Sequence, residues 1–214
     1  MARFRDRLEA GRKLAERLPA YAGRDDVVVL ALPRGGVPVG YEVARTLGAA
    51  LDVFVVRKLG VPGHEELAFG AVASGGVRVL NDDVVATLGL SEREIEPIVE
   101  RERGEVERRE RAYRGDRPPL ELQGRTAILV DDGLATGASM RAAALAVRRL
   151  RPRAVVVAVP VAAEETCAEF RDDVDEVVCF FTPELFYAVG IWYEDFEQTS
   201  DEEVRELLQE AMPA

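Results

Sequence analysis

The sequence predicts an α/β protein built on an open, mostly parallel sheet flanked by helices. Three observations carry that prediction. Short apolar runs recur along the chain, at Val27–Leu32, Leu51–Val56 (broken only by Asp52), Ala127–Val130 and Ala154–Val159. Runs of that length, rich in β-branched residues, read as strands buried on both faces, as in a parallel sheet. Stretches of helical periodicity separate them, so strand and helix alternate as in βαβ units. The chain has 214 residues and is 48% apolar, enough for one α/β domain with a real core.

The elements follow in order. Residues 4–18 read as an amphipathic helix, with Phe4, Leu8, Leu14 and Leu18 set among Arg and Glu. Val27–Leu32 is the first buried strand, closed by Pro33-Arg34-Gly35-Gly36. A helix ending near Gly48 and a second strand over Leu51–Val56 complete one βαβ unit. Residues 59–81 change character: Gly-rich sequence leads into two short strand-like pieces around Gly75-Gly76, as for a loop and hairpin. Ser91–Arg114 is the most charged stretch. Ser91 and Glu94 form a capping box, and interleaved Arg and Glu provide i,i+4 pairs, so it reads as a solvated helix closed by Pro118-Pro119. Strand Ala127–Val130, helix Ala138–Leu150, strand Ala154–Val159, a helix over 163–171 and a strand over Glu176–Phe180 continue the alternation. The tail is aromatic first and acidic-helical last. No internal repeat is present. The whole chain, 1–214, reads as a single domain, with 59–118 as a loop, hairpin and charged helical insertion within it.

Composition narrows the function. A formal net charge of -11 argues against non-specific nucleic-acid binding, which depends on neutralising phosphates. A single histidine, His64, excludes a multi-histidine metal centre. Cys167 and Cys179 lack CxxC spacing and read as buried, apolar-like residues. No amino-terminal stretch resembles a signal peptide and no apolar run reaches about 18 residues, so a soluble, cytoplasmic protein without membrane contact is expected.

The run TAILVDDGLATGAS, Thr126–Ser139, carries the chemistry. A buried strand ends in two adjacent aspartates, where like charges repel and desolvation is costly. Open α/β sheets bind ligands beyond the carboxyl ends of their strands. Asp131 and Asp132 offer acceptors there. The small-residue loop lets a ligand approach the backbone, and the helix start at Ala138-Ser139 offers N–H donors and the positive dipole end to an anion. Hydroxyl acceptors followed by phosphate donors describe a sugar-phosphate site. No GxxxxGK[ST] is present, and Asp131-Asp132 interrupt the position a dinucleotide GxGxxG requires.

ILVDDGLATGAS resembles the signature of type I phosphoribosyltransferases, which bind 5-phosphoribosyl 1-diphosphate (PRPP). The resemblance extends over residues 4–196, through LPRGGVPVG and VRKLGVPGHEELAFGAVA, to a group of bacterial phosphoribosyltransferase-like proteins. It implies a five-stranded parallel core, a flexible loop and a hood-like segment, here 181–200. It also implies Asp131 and Asp132 on the ribose hydroxyls, and Ala135, Thr136, Gly137, Ala138 and Ser139 around the 5′-phosphate. Arg34, Gly35, Gly36, Arg57 and Lys58 would face pyrophosphate. Gly133 stands where family members often carry a bulky aliphatic. The flexible loop would carry His64 and Glu65, with Gly60 and Gly63 as hinges. Asp131, Asp132, Arg34, Lys58 and His64 would be the catalytic set. In the hood, Phe186, Tyr187 or Trp192 would stack on a base. Mg²⁺ would be held by Asp131, Asp132 and Glu194, through water or substrate. The implied activity is transfer of ribose 5-phosphate from PRPP to a nucleobase or similar nitrogenous acceptor, with pyrophosphate released. A PRPP-binding regulator without catalysis and a sugar-phosphate hydrolase are the alternatives. Family relatives are commonly dimers, which leaves a homodimer open.

Overall fold

In a computed structural model, residues 3–61 and 64–211 are described, the side chains of residues 64–66 excepted. The five-stranded sheet runs in the order β2-β1-β6-β7-β8. It comprises β1 (Val27–Ala31), β2 (Ala50–Val53), β6 (Thr126–Val130), β7 (Ala154–Val161) and β8 (Glu176–Phe181), and every neighbouring pair is parallel. The chain moves outward from β1 to β2 and then returns to add β6 on the other side of β1. The β1–β6 boundary is therefore the topological switch point of the sheet.

Alternation along the strands divides the core. Val27, Val29 and Ala31 of β1, with Ile128 and Val130 of β6, pack in a cluster that includes Leu14 of α1 (Arg7–Ala15) and Val37 and Val43 of α2 (Gly36–Leu47). Val28, Leu30, Ala127 and Leu129 turn to the opposite face, against Met140 and Ala143 of α5 (Ala138–Arg149) and Phe170 of α6 (Glu164–Asp173). Burial on both faces explains why these strands read as unbroken apolar runs.

The predicted second strand divides in two. β2 ends at Val53, and after Phe54 and Val55 the chain enters a separate antiparallel sheet. That sheet is β3 (Val56–Val61), β4 (His64–Ala73) and β5 (Val77–Leu80), in the order β3-β4-β5. Ser74 holds the junction: its hydroxyl accepts from the Val55 N–H at 2.9 Å, and its own N–H donates to the Val55 carbonyl at 2.9 Å. A continuous apolar run carries no mark of a change of sheet. A short helix that the charge pattern did not suggest, α3 (Asp82–Leu88), follows, capped by the Asn81 side chain at one end and Gly89 in the left-handed region at the other.

The charged segment forms α4 (Glu92–Arg114) with the expected capping box. It is not solvated all round. Ile95, Val99, Val106 and Tyr113 are buried along one stripe, in the same core cluster as Val204 and Leu208 of α7 (Asp201–Glu210). Cys167 of α6 and Cys179 of β8 are joined by a disulfide rather than standing as separate thiols. The short return from α6 lays β8 beside the helix, and a separation of 12 residues gave no motif that would announce the pairing. No helix among the described residues is long and apolar enough to cross a membrane.

Candidate active site

The carboxyl ends of β1 and β6 finish level, with Ala31 paired to Val130 and the Leu32 N–H donating to the Val130 carbonyl at 2.9 Å. This lays the Pro33–Gly36 loop directly on Asp131 and Asp132. The Pro33–Arg34 peptide is cis. A methyl group added to Gly35 would sit 2.2 Å from Asp132 Oδ2, and one added to Gly36 would sit 2.9 Å from Asp131 Cα. Only glycine lets the two loops touch here.

Asp131 Oδ1 accepts from the Asp132 N–H at 2.8 Å. Burial, and then the neighbouring Asp132 charge, push the Asp131 carboxyl well above the usual carboxylate range. Burial raises Asp132 as well, against the opposing pull of Arg7. The pair is thus a concentration of acceptor capacity held in a site unfavourable to charge.

The next residues form a tight bend. Leu134 bridges to Ala162, and its N–H donates to the Val161 carbonyl at 2.9 Å. Thr166 of α6 donates its hydroxyl to the Ala135 carbonyl at 2.8 Å. Gly137 takes φ 68° and stands at the N-cap of α5, with no room for a side chain because a methyl would lie 2.5 Å from Phe170 Cε2. The opening N–H groups of α5 therefore point beyond the carboxyl end of β6, where a helix has donors to spare. A side chain at Gly133 is blocked by Val189, whose Cγ1 would lie 2.7 Å from the added methyl. Val189 fills the space that a bulkier residue at 133 would need.

The basic residues are arranged differently. Arg34 Nη1 lies 3.6 Å from Asp201 Oδ1 at the start of α7. Asp201 also accepts from the Tyr113 hydroxyl at 2.8 Å, and Tyr113 is pushed up to about 12 by burial and by that bond. Arg57 donates Nε to Glu102 of α4 at 2.8 Å. Arg57 and Lys58 are successive residues of β3, so their side chains leave opposite faces. With Arg101 and Glu102 both line a cavity of about 630 Å³. Lys58 also reaches a cavity of about 610 Å³ shared with Ala138 and Arg141 of α5. His64 opens β4, its backbone opposite Val61, but the His64 and Glu65 side chains and Gly63 lie outside the described residues. Gly60 lies in β3 where the ladder to β4 shifts register.

In the 181–200 segment, Phe186 is half-buried, Tyr187 is 79% exposed and Trp192 is buried at 2%. Glu194 is exposed, its N–H bonded to the Phe4 carbonyl at 2.8 Å. Among the described residues no group of three His, Cys, Asp or Glu could hold a metal. Three contacts around the acid pair had no sequence signal. Arg7 of α1 contacts Asp132 Oδ2 through both Nε and Nη2 at 2.9 Å. Its guanidinium carbon lies 4.0 Å from the Phe196 ring centroid. Tyr193 donates its hydroxyl to the Asp132 carbonyl at 2.6 Å. Arg7 lies 125 positions from Asp132, among other arginines of an ordinary amphipathic helix, so only the folded chain reveals it.

Comparison with known proteins agrees with this architecture. A Mycobacterium tuberculosis protein provisionally named a phosphoribosyl transferase is 50% identical over 211 residues, 99% of this chain and 47% of its own length. The chain thus spans about half the length of the curated relatives it matches. The crystal structure of TT1426 from Thermus thermophilus superposes with a TM-score of 0.89 at 46% identity, covering 99% of this chain and 100% of that one. An orotate phosphoribosyltransferase of Erythrobacter litoralis is 37% identical over 93 residues, 44% of this chain and 46% of its own. The family described as the phosphoribosyl transferase domain matches residues 3–189. With its parallel five-stranded sheet, flanking helices and acid-bearing switch point, the chain belongs to the phosphoribosyl transferase family.

Proposed function

We propose that this chain transfers the ribose 5-phosphate unit of PRPP to a nucleobase or similar nitrogenous acceptor, with release of pyrophosphate. The observation that carries the reading is the sequence of groups after β6: two adjacent, half-buried carboxylates, a left-handed Gly137 and the open amino end of α5. Asp131 and Asp132 accept from the ribose 2′- and 3′-hydroxyls. The amides of Ala135–Ser139 and the Thr136 hydroxyl surround the 5′-phosphate. Gly35 and Gly36 let the diphosphate approach the backbone, with Arg34, Arg57 and Lys58 as its cationic partners. His64 and Glu65 lie on the hairpin side of the site. The half-buried Phe186 and the exposed Tyr187 are the aromatic candidates for stacking on a base, whereas Trp192 is buried in the cluster against which Phe186 packs and has no face free for a base.

Mg²⁺ suits this donor set. Two adjacent carboxylates without a third ligand are what a cation needs when it keeps waters and takes substrate oxygens. Asp131 and Asp132 would hold it, without Glu194, which forms no three-carboxylate group with them, and it would offset charge developing on the diphosphate. The chain's own residues bind and orient. Fixed donors at the sugar phosphate hold C1′ in place while the bond to pyrophosphate lengthens and the acceptor nitrogen approaches, and the arginines stabilise the departing charge. Either carboxylate can accept the acceptor's proton, because two coupled acids share their titration.

One observation favours a second reading, a PRPP-binding regulator. Arg34 and Arg57 are each engaged by an acid of the protein itself, Asp201 and Glu102. Pyrophosphate release from PRPP and Mg²⁺, measured across a panel of bases, separates the readings. Release with one base is the expected result. Tight PRPP binding without turnover supports the regulator, and release without any base supports a hydrolase. Asp132→Asn is expected to lose most turnover with the fold intact. Unchanged release in that variant would overturn the site assignment.

A further inference from the structure

We propose that Arg7 is the positioning residue of the sugar site. It aims one oxygen of Asp132 at the ligand and couples occupation of that oxygen to the carboxy-terminal segment Tyr193–Glu197. The inference rests on the sugar-phosphate reading of the Asp131–Asp132 site.

The geometry of the ion pair is specific. An arginine facing a carboxylate usually spreads its fork over both oxygens. Here Nε and Nη2 both converge on Oδ2, at 2.9 Å each. The same oxygen faces Gly35, where an added methyl would come within 2.2 Å of it. Oδ2 is therefore enclosed by protein, and Oδ1 is the oxygen left for a hydroxyl donor. The side chains of Arg7 and Asp132 are 12% and 16% exposed. A largely desolvated pair of this kind does little for stability against an apolar replacement, whereas it orients charge well.

Arg7 is held from several sides. It opens α1, whose N-cap Asp6 accepts from the Glu9 N–H at 2.7 Å. α1 is seated closely on α2: a methyl at Gly11 would meet the Val39 carbonyl oxygen at 2.6 Å. The remaining arm, Nη1, donates to the Glu197 carbonyl at 2.6 Å, and the guanidinium lies over Phe196. Tyr193 reaches the same aspartate from the other side through its main-chain carbonyl. The Tyr193 and Phe196 rings are 5.0 Å apart. Segment 193–197 is thus attached to Asp132 twice, once through Arg7 and once through Tyr193. A hydroxyl drawing on Asp132 changes the charge that Arg7 sees, and Arg7 passes that change to Phe196 and Glu197. The chain's one tryptophan, Trp192, precedes Tyr193 and packs edge-on against Phe181 at 5.2 Å, which places a fluorescent reporter on this segment.

The test measures PRPP affinity by calorimetry, pyrophosphate release, and Trp192 emission with and without PRPP. It uses the full chain, Arg7→Gln, Arg7→Lys and Phe196→Leu. Wild type is expected to bind PRPP with a change in Trp192 emission. Arg7→Gln is expected to weaken PRPP binding about 10-fold and to abolish the emission change, with Arg7→Lys between the two. Phe196 is 37% exposed, so Phe196→Leu keeps the fold and is expected to diminish the emission change even where Arg7→Gln unfolds. A folded Arg7→Gln with wild-type PRPP affinity and emission response would reduce Arg7 to a structural ion pair and overturn the proposal. An unaltered response in Phe196→Leu overturns the coupling. Failure of wild type to bind PRPP sinks the functional reading and this one together, whereas binding by wild type with unaltered variants sinks only this one.

Discussion

The switch point of the parallel sheet and the α4 helix with its β3–β5 sheet handle charge in opposite ways. At the switch point, two carboxyls stand side by side, half-buried; burial raises both, and the Asp132 charge raises Asp131 further. Along α4 and its sheet, opposite charges alternate and cancel: Glu105 holds Arg108 and Arg109, Glu102 holds Arg57 and Arg101, and Arg78 meets Glu92 and Glu96. The first arrangement is unfavourable for folding and therefore asks for a ligand. The second is content without one. A local rule broken inside an otherwise consistent structure is where function is to be sought.

The largest expected effect breaks the first half of that contrast. Asp131→Asn keeps the shape and the oxygen that accepts the Asp132 N–H, but removes one of the two charges. Transfer from PRPP is expected to fall at least about 100-fold. Stability should move the other way. A carboxyl whose folded value lies above its unfolded value favours the fold at low pH, and that advantage is lost as pH rises through the folded value. At neutral pH the wild-type chain therefore carries a penalty that the amide lacks. A melting temperature for Asp131→Asn equal to or above wild type, together with lost activity, is the expected result. A clear drop in melting temperature would mean that the acids are a structural pair.

The second effect concerns the scaffold behind the phosphate bend. The Cys167–Cys179 disulfide ties α6 to β8, and α6 supplies both Thr166 on the Ala135 carbonyl and Phe170 beneath Gly137. Closing a loop of 12 residues is worth about 3 kcal/mol by chain entropy. Cys167→Ser, or reduction, is expected to lower stability in urea by up to about that amount, and to weaken 5′-phosphate binding more than it alters the acid pair. Equal urea midpoints for oxidised and reduced protein would remove the bridge from the account of the site.

Legibility followed the same division. The parallel strands were readable because burial on both faces leaves one apolar signature, and the place of Asp131-Asp132 at the carboxyl end of β6 was readable because that signature stops there. The break after Val53 was not, since Phe54 and Val55 are apolar and fully buried like Val53 itself. The buried stripe of α4 was masked by its arginines and glutamates, although Ile95, Val99 and Val106 stand at helical spacing. Arg7, Tyr193 and Phe196 were invisible for a different reason. Arg7 and Tyr193 reach Asp132, and Phe196 packs on both of them, only where distant segments meet, and neither residue type nor spacing records that.

A smaller effect sharpens the contrast at its boundary. Glu102 is 7% exposed and accepts from Arg57 at 2.8 Å and Arg101 at 3.0 Å. Burial raises its carboxyl, and the two arginines more than reverse that, so its net shift is downward. Glu102→Gln is expected to cost about 1 kcal/mol, mostly through the weakened bond to Arg57. It also frees Arg57. If Arg57 serves the diphosphate, pyrophosphate should inhibit the variant at lower concentration than wild type. Unchanged inhibition would assign Arg57 to the hairpin alone.

The smallest effect lies on the outer face of α4. Glu105 lies three and four residues before Arg108 and Arg109, and bonds to both hold its carboxyl down to about 2, from an ordinary value of 4.5. A depressed carboxyl adds stability above its unfolded value and loses it as pH falls through the folded one. The window is therefore between about pH 4.5 and pH 2. Arg108 is exposed and Glu105 and Arg109 are each about one-third exposed, so salt screens them and the gain should be no more than about 0.5 kcal/mol. Glu105→Gln should match wild type within that margin at pH 7, and the difference should vanish near pH 2 or in 1 M salt. Urea melts at the two pH values, with and without salt, check it. A loss much larger than this at pH 7, insensitive to salt, would mean that the outer face of α4 is as enclosed as Glu102 on its inner side. Its alternating charges would then have to be counted with the acid pair as a built feature rather than as a solvated face.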